Sequence, residues 1–268
     1  MLKILVFWDV FGRIGRKALA KQLPILKEKY KPDFVVVNIE NATSGRGPIS
    51  EHAIELSNLW IDVMTSWDHI FDNEDKIRDY LELENSKLIR PMNFYEGEGI
   101  NIPGKWYKIV EKDWKKLLVI NLISETFMKY SVYNPFLKIR EFLDEIKEDF
   151  DGIIIDFHKE VSSETYAMWF LLEGNVSLVY GTHTHMQTND EVILDNWTWI
   201  ISDVGMVWSF PSVIWADFES IKNRFLSWIS RWKIEQSLDK RYVVNWIYVE
   251  IEDKKCKKIE KIRVRDSL

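Results

Sequence analysis

The chain alternates short, β-branched apolar runs with amphipathic stretches of helical period, and no other feature narrows its fold so far. Residues 2–7, 34–38, 61–66, 152–157, 176–180, 198–202 and 242–252 read as strands, each a short apolar run bounded by polar or turn-forming residues. Residues 13–30, 50–59, 75–83, 135–148, 162–172 and 216–229 read as helices. Leu19, Leu23 and Leu26 share one face of the first, and Ser50 is placed to cap the second. Residues 105–111 and 115–122 read as a hairpin turning at Asp113-Trp114. This alternation predicts a layered α/β fold. With 268 residues, 46% of them hydrophobic, and no linker, repeat or low-complexity stretch, one domain over residues 1–268 is expected.

Charge and cysteine usage exclude whole classes. A net charge of -6 argues against a general nucleic-acid or membrane-surface binder. An acidic chain can still process phosphate esters if bound metal ions supply positive charge locally. The one cysteine, Cys256, cannot form an internal disulfide and fits a reducing compartment. No run approaches the length of a membrane span. The apolar opening of residues 1–7 is too short for a signal-peptide core, and Asp9 interrupts it. A cytoplasmic protein without membrane association is expected.

Chemistry-bearing residues gather just after the strands. Asp9 follows the first, Glu40-Asn41 the second, Asp68-His69 the third, His158 the strand at 152–157, and His183 and His185 the strand at 176–180. Ligands of open α/β sheets bind beyond the carboxyl ends of the strands, so five strand ends offer these groups to one sheet edge. A single histidine is ordinarily a surface or hydrogen-bonded residue, and His52, on a helix, is read that way. Four of the five histidines at strand ends beside acidic residues need another account. In extended backbone residues i and i+2 face the same way, so His183 and His185 can enter one site with Thr184 pointing away. Mixed imidazole and carboxylate donors suit Fe, Mn or Zn better than Ca or Mg. Six candidate ligands, Asp9, Glu40, Asp68, His158, His183 and His185, are too many for one tetrahedral zinc and suit two ions sharing a carboxylate.

These motifs occur together and in order. Asp9 with Gly12, Asn38-Ile39-Glu40-Asn41-Ala42, Trp67-Asp68-His69, Asp156-Phe157-His158, Gly181-Thr182-His183-Thr184-His185 and Ser202-Asp203-Val204-Gly205-Met206 resemble the YmdB-like metallophosphoesterases, collinearly from about residue 1 to residue 252. The resemblance implies a calcineurin-like phosphoesterase fold with two central sheets flanked by helices. It implies hydrolysis of small phosphodiesters, 2′,3′- or 3′,5′-cyclic nucleotides or RNA ends among them. Carried over by position, Asp9 and His185 would hold one metal and Asp68, His158 and His183 the other. Glu40 would bridge them, Asn41 would neighbour the site, and His69 would protonate the leaving oxygen. Two Fe or Mn ions are the cofactors implied, and a homo-oligomer is compatible with the chain.

The chain departs from the family pattern where Asp68 replaces an Asn and where Trp8 and Trp67 replace Gly. The departures belong to a wider anomaly, 13 Trp against 11 Gly. Glycine is about 4% of the chain, against a usual share of roughly 7%. Trp8, Trp67, Trp106, Trp114, Trp197, Trp208 and Trp215 all stand where the family pattern or turn chemistry favours Gly. Asp113-Trp114 replaces the Asp-Gly that a tight hairpin wants, and Asn196-Trp197 replaces Asn-Gly. One reading is a diverged protein with true tryptophans. The other is a source in which UGA encodes Gly but has been written as Trp.

Two ions about 3.5–4 Å apart would activate water and neutralise charge in an in-line displacement, with His69 assisting departure of the alcohol. Three alternatives compete. One is a metal-dependent phosphomonoesterase or nucleotidase, and another is a catalytically impaired regulatory protein that keeps the fold. The third is a dinucleotide binder suggested by Gly12 and Gly15, whose spacing lacks the full fingerprint and leaves the histidines unexplained.

Overall fold

Strand β1 (Leu2–Phe7) shows how the layers arise. Its side chains alternate: Leu2, Ile4 and Val6 enter one buried cluster, and Leu5 and Phe7 enter another on the opposite face. The computed structural model describes residues 1–97, 99–227 and 233–268. After β1 come α1 (Gly12–Tyr30), β2 (Phe34–Asn38), α2 (Ser50–Ser57), β3 (Val63–Thr65), α3 (Glu74–Leu81) and β4 (Leu88–Ile89). Then follow β5 (Tyr107–Lys112), β6 (Lys115–Ile123), α4 (Pro135–Glu145), β7 (Gly152–His158), α5 (Ser162–Leu172) and β8 (Leu178–Thr182). The chain closes with β9 (Val192–Ile193), β10 (Trp199–Ile201), β11 (Val207–Ser209), α6 (Phe218–Ser227), β12 (Arg241–Glu252) and β13 (Lys255–Ser267).

The strands form two sheets. In the first, β1, β2, β3 and β4 are parallel neighbours, and β12 runs antiparallel to β1 and β11 on one edge and to β13 on the other. In the second, β6, β7, β8 and β10 are parallel, with β5 and β9 antiparallel at the two ends. One apolar layer joins the sheets, with Ile4, Val6, Val36 and Val63 facing Leu117, Val119, Ile154 and Leu178. The outer face of the first sheet packs on Ala18, Leu19 and Leu23 of α1, Leu56 of α2 and Ile77 of α3. The outer face of the second packs on Ile139 of α4 and Met168 and Leu172 of α5. The order is helices, sheet, sheet, helices. Parallel strands buried on both faces read as unbroken apolar runs, which is why Ile153-Ile154-Ile155 shows no alternation.

The strand ends expected at one sheet edge therefore belong to two sheets: β1, β2 and β3 in one, β7 and β8 in the other. Ser50 is not a cap. Its hydroxyl donates to the Lys76 carbonyl at 2.7 Å, and Ile49 stands at the cap position without a side-chain bond. Gly15 is a packing glycine, since a Cβ there would come 2.5 Å from the Val207 carbonyl oxygen. Strand β13 is not anticipated by the sequence, because its apolar residues Cys256, Ile259, Ile262 and Val264 are spaced irregularly among Lys, Arg and Glu; such charge suits a sheet edge. The last two residues of the helix expected at 216–229 lie outside the described residues. Among the described residues no helix is long and apolar enough to cross a membrane.

Four of the tryptophans that stand where Gly is favoured fall into two groups. Trp114 has φ 66 after Asp113 at φ 48, and Trp197 has φ 68. Both sit in the left-handed region that glycine enters freely and bulky residues avoid. Trp114 is 95% exposed, so nothing packs on its indole to compensate. Trp8 and Trp67 are not at positive φ; they are 1% exposed and belong to the layer between the sheets. Replacing Trp114 by Gly is expected to stabilise the protein by roughly 1 kcal/mol through relief of left-handed strain. Replacing Trp169, a buried residue of α5, by Gly should destabilise it by about 3 kcal/mol or more. Denaturant midpoints of the two variants check this, and a lower midpoint for Trp114→Gly would count against the strain.

Candidate active site

Because the sheets face each other with β1–β3 and β7–β8 ending on the same side, their carboxyl ends enclose a cleft of about 490 Å³. Glu40, Asn41, Asp68, His69, His158, His183 and His185 line it, together with Glu160, Thr184, Trp67 and Trp215. Asp9 is buried behind this lining. The Asn41 amide nitrogen lies 2.8 and 2.9 Å from its two carboxylate oxygens, and His185 Nε2 lies 3.1 Å from Oδ2. His52 stands apart, with Nδ1 bonded to the Thr43 hydroxyl at 2.8 Å.

The polar groups form two sets. On one side are Asp9, Asn41 and His185. On the other, His158 Nε2 lies 3.2 Å from His183 Nδ1 and 3.7 Å from Asp68 Oδ1. Glu40 is buried, and its two oxygens accept the backbone N–H groups of Trp67 (at 2.6 Å) and His69. Carboxylate oxygens keep further lone pairs after such bonds. Local backbone is unusual here, since Asp9 and His185 both have positive φ, at 32° and 65°. Strained backbone persists where surrounding structure over-determines it. For His185 the surroundings include Asp203, whose Oδ2 accepts from His183 N at 2.9 Å, Thr184 N at 2.8 Å and the Thr184 hydroxyl at 2.7 Å. Its Oδ1 accepts from Gly205 N at 2.8 Å. Gly181, near the end of β8, leads into this loop, and a Cβ there would meet the Ser202 carbonyl oxygen at 2.4 Å.

Charge in the cleft is lopsided. Burial, then the neighbouring Asp68, pushes the Glu40 carboxyl well above the usual range. Burial raises Asp203 and lifts Asp156 to about 7. Burial also depresses His158 and His183, keeping their rings neutral with lone pairs available. Burial pulls the His185 imidazole down, but Asp9 and Asp203 together shift it up. Buried carboxylates and neutral imidazoles facing one another are what a cation site requires. Adjacent ligands on bonds of about 2.1 Å stand roughly 3.0–3.4 Å apart; Asp9–His185 at 3.1 Å and His158–His183 at 3.2 Å fall in that range, and Asp68 at 3.7 Å from His158 lies outside it. The donors stop at pairs, however, and among the described residues no three His, Cys, Asp or Glu close into a ready-made cluster.

His69 is placed differently. Its Nδ1 lies 2.7 Å from Asp72 Oδ2, and Asp72 also pairs with Lys129. Burial would raise the Asp72 carboxyl, but Lys129 and His69 hold it below its usual range. With Nδ1 engaged, Nε2 is the ring atom left for the cleft. Asp72 and Glu160 carry weight that sequence reasoning missed, and Asp156 and Asp203 stood in motifs without a role. Asp72 follows His69 by three residues and Glu160 follows His158 by two, spacings visible only once their partners are known. Trp67 stacks on His158 with centroids 4.3 Å apart, donates from Nε1 to Asp156 at 2.9 Å, and carries Trp8 stacked at 5.8 Å.

The fold of two facing sheets flanked by helices is one found among calcineurin-like phosphoesterases. A calcineurin-like phosphoesterase from Bacillus subtilis shares the fold at TM-score 0.55 and 14% identity, covering 99% of this chain and 90% of that one. The chain belongs to the YmdB-like protein family, which matches residues 5–262. It is 36% identical over 268 residues to the 2′,3′-cyclic-nucleotide 2′-phosphodiesterase of Bacillus subtilis strain 168, covering 99% of this chain and 98% of the relative. The crystal structure of a novel phosphatase from Mycoplasma pneumoniae superposes at TM-score 0.87 with 29% identity, covering 99% of this chain and 94% of that one.

The buried acids predict a pH dependence for metal-free protein. Glu40, Asp156 and Asp203 have raised values in the folded state, so their stabilising contribution is present at low pH and is lost as pH rises through those values, Asp156's at about 7. The depressed histidines His158 and His183 act oppositely, but only below the ordinary value of about 6.5. Chelator-treated protein should therefore melt at lower temperature at pH 8.0 than at pH 6.5, with Mn²⁺ narrowing the gap. A melting temperature that holds or rises over this interval would refute the account.

Proposed function

We propose that the chain hydrolyses phosphodiesters, with 2′,3′- or 3′,5′-cyclic nucleotides as its substrate class, using two Fe or Mn ions. The observation that carries this reading is the pair of donor sets, Asp9 with His185 at 3.1 Å and His158 with His183 at 3.2 Å. Asp9 and His185 would hold one ion, with Asn41 beside it. Asp68, His158 and His183 would hold the other, and Glu40 would serve both. The activity of the Bacillus subtilis relative, which matches nearly the whole chain, supports the substrate class. When bound, the ions supply Lewis acidity toward phosphoryl oxygens and water. His69, held through Nδ1 by Asp72, protonates the departing ester oxygen from Nε2. Asp72 fixes the ring and the tautomer, and Lys129 anchors Asp72. A cytoplasmic location belongs to the same reading, supported by Cys256, which is buried and free.

His69→Ala should lower turnover of bis(p-nitrophenyl) phosphate and of 2′,3′-cyclic AMP by roughly 10²–10⁴-fold while leaving metal content unchanged. His183→Ala should lose metal by elemental analysis. If His69→Ala strips the ions and His183→Ala does not, the two roles are reversed. Wild-type protein that holds no metal and gains no activity with Mn²⁺ would overturn the two-ion reading.

The impaired, regulatory reading keeps one specific observation in its favour: Trp67 stacks directly on His158, with Trp8 behind it. Trp8→Gly with Trp67→Gly separates the cases. If glycine is native at both positions, the double variant should gain metal occupancy and turnover, since a displacement of about 1 Å can cost on the order of 10²-fold in rate. If the indoles are native core, the variant should lose several kcal/mol of stability, as large-to-small changes in a packed layer do, with no gain in turnover.

A further inference from the structure

We propose that Glu160 is the positioning residue of His183, holding its ring with Nε2 protonated and Nδ1 turned toward the ion; the proposal rests on the two-ion reading above. The geometry starts from β7. His158 ends that strand and lines the cleft, and two residues later, in the bend beyond the strand, Glu160 lines the same cleft. Lys159, between them, turns the other way; it is buried, and its Nζ donates to the Ser202 carbonyl at 2.9 Å. One tripeptide therefore carries a candidate ligand, an anchor and a carboxylate.

His183 is gripped from both ends. Its backbone N–H is fixed by Asp203 at 2.9 Å, which leaves the orientation of the ring to be settled. Nδ1 faces His158 Nε2 at 3.2 Å, and Nε2 lies 2.7 Å from Glu160 Oε2. A neutral imidazole carries one proton. If Nδ1 gives its lone pair to an ion, that proton sits on Nε2 and needs an acceptor. Carboxylates behind metal-bound histidines fix ring and tautomer in this way. The other histidines are held differently. His185 turns Nε2 toward Asp9, and His158 has Nδ1 buried without a hydrogen-bond partner while its ring stacks on Trp67. A direct substrate contact by Glu160 is disfavoured by charge, since a carboxylate repels an anionic phosphodiester.

Mn²⁺ titration of the full chain, as wild type, Glu160→Ala and Glu160→Gln, tests this by calorimetry. Glu160→Ala should weaken one of two Mn²⁺ sites about 10–100-fold and leave the other within about twofold. Glu160→Gln keeps an amide oxygen as acceptor and should restore most of the lost affinity. In Zn²⁺-loaded wild type, ¹⁵N NMR of the imidazoles should show the His183 proton on Nε2. At saturating Mn²⁺ the KM for bis(p-nitrophenyl) phosphate should be unchanged in both variants. Equal Mn²⁺ affinity in all three proteins would overturn the positioning role alone. So would unchanged affinity with an altered KM, which would make Glu160 a substrate contact. Wild type that binds no Mn²⁺ would overturn the two-ion reading and this proposal together.

Discussion

The apolar layer between the two sheets is the constraint on which the site depends. Ile4, Val6 and Val36 from one sheet pack against Val119, Ile154 and Leu178 from the other. Their register holds the ends of β1, β2 and β3 opposite the ends of β7 and β8. Each strand end releases its chain into a loop at the same level, so acids from the first sheet and histidines from the second meet. No single βα unit could assemble that mixture, because each contributes only one or two donors.

That convergence has an electrostatic consequence. Asp9, Glu40, Asp156 and Asp203 are buried at the cleft or just beneath it, and burial raises the last three. Buried carboxylates are unfavourable unless they are neutralised, bonded or paired. Asp203 is satisfied by backbone and hydroxyl donors, and Glu40 by two backbone N–H groups. Asp9 is met by an amide and an imidazole. A divalent ion would relieve this accumulation most directly. The same groups that make metal-free protein pH-sensitive are thus the ones suited to holding a cation.

The tryptophans show two separate physical tests giving different answers. Backbone dihedrals mark Trp114 and Trp197 as glycine-like positions, whereas Trp8 and Trp67 fill space in the layer between the sheets. Conformational demand and packing demand are independent, and a residue can fail one while meeting the other. At Trp67 the consequence reaches the chemistry, because its indole forms the surface on which His158 lies.

Much of the architecture was legible from local pattern. β1, β2, the β5–β6 hairpin and α5 fall where apolar period and turn residues place them, because each depends on interactions within a few residues. The candidate donors were legible for a related reason: Asp9, Glu40, Asp68, His158 and the His183–His185 pair are polar groups stranded at the ends of apolar runs. Sequence pattern could not reveal β13, whose apolar residues are spaced irregularly among charges, or the division of the strand ends between two sheets. Nor could it reveal what stands behind the donors. Asp72 behind His69, Glu160 behind His183 and Asp203 beneath the histidine loop are ordinary acids in the linear chain. Their significance depends on distances of 2.7–2.9 Å that exist only after separate strands are brought together. The sequence by itself determined which elements form and which donors stand at their ends, since those follow from local periodicity. Only the tertiary structure decided which donors meet and which groups orient them, since packing across two sheets sets those contacts.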